Sequence, residues 1–200
     1  VIKVSYDGIS LQEMSRPKTK PFLLEMKGLN RHSIGRDLLA KSVGKRCRTV
    51  VDATAGFGRD ALHLYLLGKS VTAIERSPVV AMMLDDAIRR LTIPSPNISL
   101  KIVCEDARGW LSKCEQPDVI YLDPMFPDPK NRSALPTKEL RILRRLVGND
   151  EDASYLLLVA LSVASQRVVV KRPLHAPALG ASPNLKYKGR SVRYDVYLTE

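Results

Sequence analysis

Two short alternating apolar pieces open the chain, Ile2 to Tyr6 and Ile9 to Leu11, with Asp7-Gly8 between them. Asp-Gly favours the primed turns of tight hairpins, so a β-hairpin is predicted here. Lys18 to Pro21 reads as loop, and Phe22 to Met26 as a returning strand. Residues 1–30 are therefore expected to form a small β-rich appendage, and residues 31–200 the main domain. Ile34 to Val43 has the spacing of a short helix, ended by Gly44-Lys45-Arg46.

From there the pattern alternates. Arg48 to Ala53 is an apolar, β-branched run, and Asp60 to Leu67 has helical spacing. Ser70 to Ile74 is a second strand ending at Glu75. Pro78 suits the first turn of a helix that continues from Val79 to Leu91, with Val80, Met83, Leu84 and Ala87 on one face. Ile98 to Val103, Asp118 to Leu122 and Arg167 to Lys171 are further strands. Ala107 to Lys113, Lys138 to Val147 and Asp152 to Ala164 are further helices. Such alternation predicts a mostly parallel sheet covered by helices on both faces. Leu185 to Lys188 and Val192 to Leu198 have no helix between them and suit an antiparallel pair at the sheet edge.

Composition sharpens this in two places. A hydrophobic share of 44% over 200 residues is enough for one core. The longest apolar stretch, Tyr155 to Ala164, is interrupted by Ser162 and falls short of the roughly 20 residues a membrane helix needs. The chain opens on Val1 rather than Met, which allows for residues upstream, and its first residues carry no secretory pattern. Cys47, Cys104 and Cys114 have no metal-ligand spacing and read as idle thiols of a cytoplasmic protein; no metal site is expected. The formal charge of +11 favours a polyanionic partner. Ten Lys and Arg lie between Arg16 and Arg48 against only Glu25 and Asp37. Lys186, Lys188, Arg190 and Arg193 form a second basic group close to Lys171-Arg172, although a solvated surface would look the same.

Two loops carry candidate chemistry. In Val51 to Asp60, Gly56 and Gly58 let the backbone turn sharply and approach a ligand with no Cβ in the way. Ligands of open α/β sheets bind at the carboxyl ends of the strands, where Glu75 could accept hydrogen bonds from a ribose. Gly56 to Ala61 also satisfies the dinucleotide pattern G-x-G-x-x-A, so a nicotinamide cofactor stays open on this string alone. Asp52, however, would repel a pyrophosphate and suit the cationic methionine end of S-adenosylmethionine. Asp106, after the third core strand, is placed to contact an adenine.

The second loop, Tyr121 to Pro127, resembles the [DNS]-P-P-[YF] motif of amino-group methyltransferases, with Asp123, Pro124, Met125 and Phe126 in its four places. An exocyclic amine on a base is a poor nucleophile because its lone pair is delocalised into the ring. Asp123 and the carbonyl of Pro124 can accept its N–H groups and turn the lone pair towards a methyl donor. Phe126 offers a face for the base, worth about 1–3 kcal/mol by analogy with single-strand binding. Lys130, Arg132 and Lys138 could meet flanking phosphates. His32, His63 and His175 are scattered, and Trp110 reads as a packing residue.

These strings, together with Glu75 to Val80 and Val168 to Pro173, are similar to the bacterial 16S ribosomal RNA guanine-N2 methyltransferases of the RsmJ type, in the same order from about Gly28 onward. The resemblance implies a Rossmann-like class I methyltransferase fold with a seven-stranded sheet and S-adenosylmethionine as cofactor. It implies methylation of N2 of a guanosine near the 3′ end of 16S ribosomal RNA, as free RNA or in the small ribosomal subunit, by a protein expected to be a monomer. By matching positions, Arg59, Asp60, Glu75, Arg76, Asp106, Ala107 and Asp123 would line the cofactor site. The segment Leu29 to Arg36 is only a loose counterpart of the family's. An amino methyltransferase acting on another RNA, on DNA or on protein is the alternative.

Overall fold

The computed structural model describes residues 1–15, 18–26, 37–91, 98–125 and 137–199. Ile2–Ser5 (β1), Gly8–Leu11 (β2) and Phe22–Leu23 (β3) form the predicted antiparallel N-terminal sheet. The main sheet contains Thr49–Asp52 (β4), Ser70–Glu75 (β5), Leu100–Cys104 (β6), Val119–Leu122 (β7), Arg167–Pro173 (β8), Leu185–Lys188 (β9) and Val192–Leu198 (β10). Its order is β6-β5-β4-β7-β8-β10-β9, parallel from β6 through β8 and antiparallel at β10 and β9. The seven strands and the C-terminal hairpin are those the hydrophobic pattern predicts.

Side chains alternate across this sheet with period two and feed two separate cores. Val50, Ala73, Tyr121 and Val169 face one core, with Leu38–Val43 (α1), Arg59–Leu66 (α2) and Pro78–Arg89 (α3). Val51, Ile74, Ile120 and Val168 face the other, with Ala107–Leu111 (α4) and Ala153–Val163 (α6). Lys138–Val147 (α5) buries no residue fully and lays Ile142, Leu143, Leu146 and Val147 against the rim of the first core.

Asp37, placed inside the predicted first helix, is instead its N-cap: its Oδ1 accepts from the amides of Leu39 and Ala40. Asp37 also pairs with His63, which gives that histidine a structural partner. The N-terminal sheet shares the main core. Leu24 is fully buried, the amide of Ile9 donates to Asp86 Oδ2 at 3.1 Å, and Arg90 donates to the carbonyl of Leu24 at 2.7 Å. Gly8 lies at φ 121, a conformation L side chains rarely adopt, and a Cβ there would also press on the Arg90 side chain at 2.6 Å, so glycine suits the turn where β2 docks on α3.

The first core strand, β4, lies in the middle of the sheet, and the chain moves outward from it in both directions. The strand order reverses between β4 and β7. There the loops leaving the two strands diverge and open a crevice, the usual ligand position in such a sheet.

Candidate active site

The Gly-rich loop leaves β4 at Asp52. Gly56 and Gly58 adopt φ of 52 and 70, left-handed values that disfavour side chains. The loop is pinned from its neighbour strand: the amide of Ala55 donates to the carbonyl of Ile74, and that of Gly56 to Glu75 Oε2, both at 3.0 Å. Glu75 Oε1 accepts from the amide of Ser77 at 2.7 Å, so this buried carboxylate ties the loop to the start of α3. Asp52 is 2% exposed and accepts from the amide of Thr54. Burial pushes its pKa well above the usual range, and the neighbouring Asp60 pushes the same way.

Asp123 ends β7 across the crevice. Its amide donates to Thr54 Oγ1 at 2.6 Å, which fastens the second loop to the first. Lys171 Nζ, from β8, donates to Asp123 Oδ2 at 2.9 Å and to Asp60 Oδ2 at 2.8 Å. Tyr121 completes the group by donating to Asp60 at 2.6 Å. Enclosure raises the pKa of Asp123, and Lys171 opposes the rise. Burial alone would lower Lys171, but Asp123 and Asp60 reverse that and hold it firmly protonated. Two carboxylates thus share one ammonium, with the buried Asp52 close by.

Met125 stands where the general amino-methyltransferase motif has a second proline. Its amide donates to Asp150 Oδ2 at 2.6 Å, and its carbonyl accepts from the amide of Asp150 at 3.1 Å. A proline would have no N–H to give.

Two connected cavities follow the strand ends. The larger, about 450 Å³, is lined by Asp52, Gly56, Gly58, Arg59, Asp60, Asp123 and Pro124, with Lys171 among their neighbours. The smaller, about 70 Å³, is lined by Gly56, Glu75, Arg76, Asp106, Ala107 and Asp123. The structure therefore brings together every predicted site residue except Phe126, which lies outside the described residues with Pro127, Lys130, Arg132 and His32. Several of them already have partners. Arg59 pairs with Glu139, and Arg76 with Asp150 and Asp152. Asp106 accepts from both the amide and the guanidinium of Arg108, and this hydrogen bonding holds its pKa down at about 2.

A cavity over the carboxyl ends of β4, β5 and β7, edged by glycines and carboxylates, suits a nucleoside joined to a cationic tail. The chain as a whole places it among known proteins: residues 2–199 match the family described as "Putative SAM-dependent methyltransferase". The chain belongs to this family. Among relatives of this S-adenosylmethionine-dependent methyltransferase, ribosomal RNA small subunit methyltransferase J of Thioalkalivibrio sulfidiphilus is 44% identical over 180 residues, 84% of this chain and 70% of that protein. The protein of the same name from Coxiella burnetii is 47% identical over 168 residues, 80% of this chain and 66% of that one. The chain thus spans about two thirds of the length of these curated relatives. A crystal structure of a SAM-dependent methyltransferase from Neisseria gonorrhoeae superposes with a TM-score of 0.74 at 32% identity, covering 98% of this chain and 81% of that one. Precorrin-6y C5,15-methyltransferase of Geobacter metallireducens, 14% identical with a TM-score of 0.51 over 88% of this chain and 94% of that one, shares the fold.

The cofactor of this methyltransferase is S-adenosylmethionine, and the nicotinamide reading of Gly56 to Ala61 lapses. The residues fit the group. Gly56 borders both cavities, and a Cβ on it would come within 3.1 Å of Leu143 across the cleft. The buried Asp52 sits beneath the loop, where a cationic tail would offset its burial.

Sequence reasoning missed Lys171, Thr54 and Asp150, and it misplaced Arg193. Lys171 was legible only as one cation in Val168 to Pro173; its place at the carboxyl end of the strand beside β7 is the signal that would have marked it. Arg193, assigned to an exposed basic edge, is 5% exposed and turned inward. Its guanidinium donates to both oxygens of the fully buried Asp195 and to the carbonyls of Pro173 and Leu174. Arg172 is equally buried and donates to the carbonyl of Pro177.

Proposed function

We propose that this methyltransferase modifies the exocyclic N2 amine of a guanosine in small-subunit ribosomal RNA. The observation that carries the reading is Asp123, held by Thr54 and Lys171 at the junction of the two cavities. The printed names of the relatives supply the substrate class, and the net charge of +11 suits a polyanion. Bound in the cleft, S-adenosylmethionine supplies an electrophilic methyl group on a cationic sulfur. Asp52 and Gly56 would hold its amino-acid end, Glu75 its ribose, and Ala107 with the backbone at Asp106 its adenine; Gly58, Arg59, Asp60 and Arg76 shape the walls.

Asp123 uses the oxygen not taken by Lys171 to accept one N–H of the target amine, and the carbonyl of Pro124 accepts the other. This turns the nitrogen lone pair towards the methyl group and restricts it there, which lowers the barrier by positioning. No strong base is needed, since the nitrogen sheds its proton to water after it has become cationic. Phe126 is assigned the face of the base. The enzyme is read as a cytoplasmic monomer.

The test is transfer of tritiated methyl groups to small ribosomal subunits from cells lacking this protein, followed by nucleoside analysis. Label in N2-methylguanosine is expected; label in another nucleoside changes the target, and no label removes the reading. Asp123→Ala should reduce turnover by about 10²-fold or more while S-adenosylmethionine still binds by calorimetry. A fully active variant removes the assigned role.

A further inference from the structure

A second groove, about 320 Å³, lies between the N-terminal sheet and α5, outside the cofactor cleft. Its floor is apolar, with Phe22 of β3 and Leu146 of α5. Its walls are basic. Lys138, Arg141 and Arg145 stand at positions i, i+3 and i+7 of α5 and so share one face of the helix, and Lys20 faces them from the loop before β3. Among the described residues Glu13 is the one carboxylate in the lining; it pairs with Arg145 at 2.9 Å. Among the described residues Arg141 makes no ion pair, and three positive charges are left uncompensated along the groove.

The position of α5 links this groove to the reaction. Its other side, with Glu139, Leu140, Leu143 and Arg144, walls the larger active-site cavity. Phe22 continues the link through the floor: its ring lies 5.4 Å from that of Phe57, inside the Gly-rich loop. Anything lying in the groove is one helix away from the target base.

We infer that the groove binds the single-stranded RNA that flanks the target nucleotide, with Lys20, Lys138 and Arg141 on successive phosphates and a base over the apolar floor. A basic wall beside an apolar platform is the chemistry of single-strand binding. The volume admits a nucleotide-sized group, since ligand pockets begin at roughly 300 Å³. The inference rests on the proposed RNA substrate and adds where that RNA is gripped.

The experiment compares wild type, Lys138→Ala/Arg141→Ala and the control Lys101→Ala, whose side chain is exposed on β6 away from the groove. Binding of protein-free 16S ribosomal RNA is measured by filter retention from low to high salt, and methyl transfer to the same RNA in parallel. The double variant should lose roughly tenfold in RNA affinity at physiological salt, and its salt slope should fall by about 1.4, at about 0.7 per phosphate contact on a single strand. KM for RNA should rise with little change in kcat, and S-adenosylmethionine affinity should match wild type, which separates a lost contact from a damaged fold. Binding and slope equal to those of Lys101→Ala overturn the groove. A wild type that binds RNA through these residues but transfers no methyl group, either to this RNA or to small subunits from cells lacking the protein, upholds the groove and overturns the reaction.

Discussion

Lys171 holds one oxygen of Asp123, a residue that lines both cavities, and it does so among further acidic groups. Asp60 shares the same ammonium, Tyr121 donates to Asp60, and Asp52 lies buried nearby, while Asp150 adds negative charge from the far side. Without Lys171 these carboxylates would drive Asp123 towards its neutral form, which has lost an acceptor. The sign is fixed: a cation beside a carboxylate lowers its pKa, so removing the cation raises it. Lys171→Met should therefore lower kcat by about 10²-fold and move the acid limb of the pH–rate profile to higher pH, with S-adenosylmethionine still bound. Lys171→Arg should recover part of the rate and return the limb towards wild type. A Met variant with wild-type rate and profile would show that Lys171 serves only the fold. None of this was legible beforehand, because Lys171 lies 111 residues from Asp60 and 48 from Asp123 in the chain. The order of strands brings the three together, and pairing across a sheet leaves no trace in local spacing.

At the scale of elements, the approach of α2 to α3 sets the cofactor loop. Gly58 is the N-cap of α2 at φ 70, and a Cβ there would lie 2.3 Å from Leu84 Cδ1 on α3, a side chain that is fully buried. Gly58→Ala combines a disfavoured backbone conformation with overpacking and should destabilise the protein by about 1–3 kcal/mol in urea unfolding. S-adenosylmethionine affinity should fall as well, because the strained residue belongs to the loop. Unchanged stability would mean that Leu84 can move aside freely. These elements were readable because strands buried on both faces write themselves as continuous Val, Ile and Leu runs, and because glycines and acids at strand ends have few other uses. The inward turn of Arg193 was hidden for the opposite reason. An arginine two residues from an aspartate on one strand looks solvated until the end of β8 is known to lie alongside with carbonyls that accept from it.

For the whole molecule, the question is whether the N-terminal sheet is an appendage or part of one cooperative body. The sequence marks a boundary near residue 30 from a change in pattern, but Leu24 and Met26 enter the core shared by α1, α2 and α3. Leu24 is completely buried, so Leu24→Ala should cost about 2–5 kcal/mol, or about 2–4 °C in Tm per kcal/mol for a chain of this size. It should do so in a single calorimetric transition. A separate low-temperature transition, with the main one unmoved, would make the sheet an independent unit. A single transition would also mean that the RNA groove and the cofactor cleft, which share α5 as a wall, melt together.

The chain has one tryptophan, and its position gives the protein an optical gauge. Trp110 is part of α4, partly buried against the second core, and its amide donates to the carbonyl of Asp106, a wall of the smaller cavity. Within this chain, ultraviolet emission excited near its red edge therefore originates beside the smaller cavity. Filling of that cavity can be followed without a label, while RNA settling on the far side of α5 leaves the same signal nearly silent. Occupancy of the cofactor cleft can therefore be titrated in one cuvette with RNA already present.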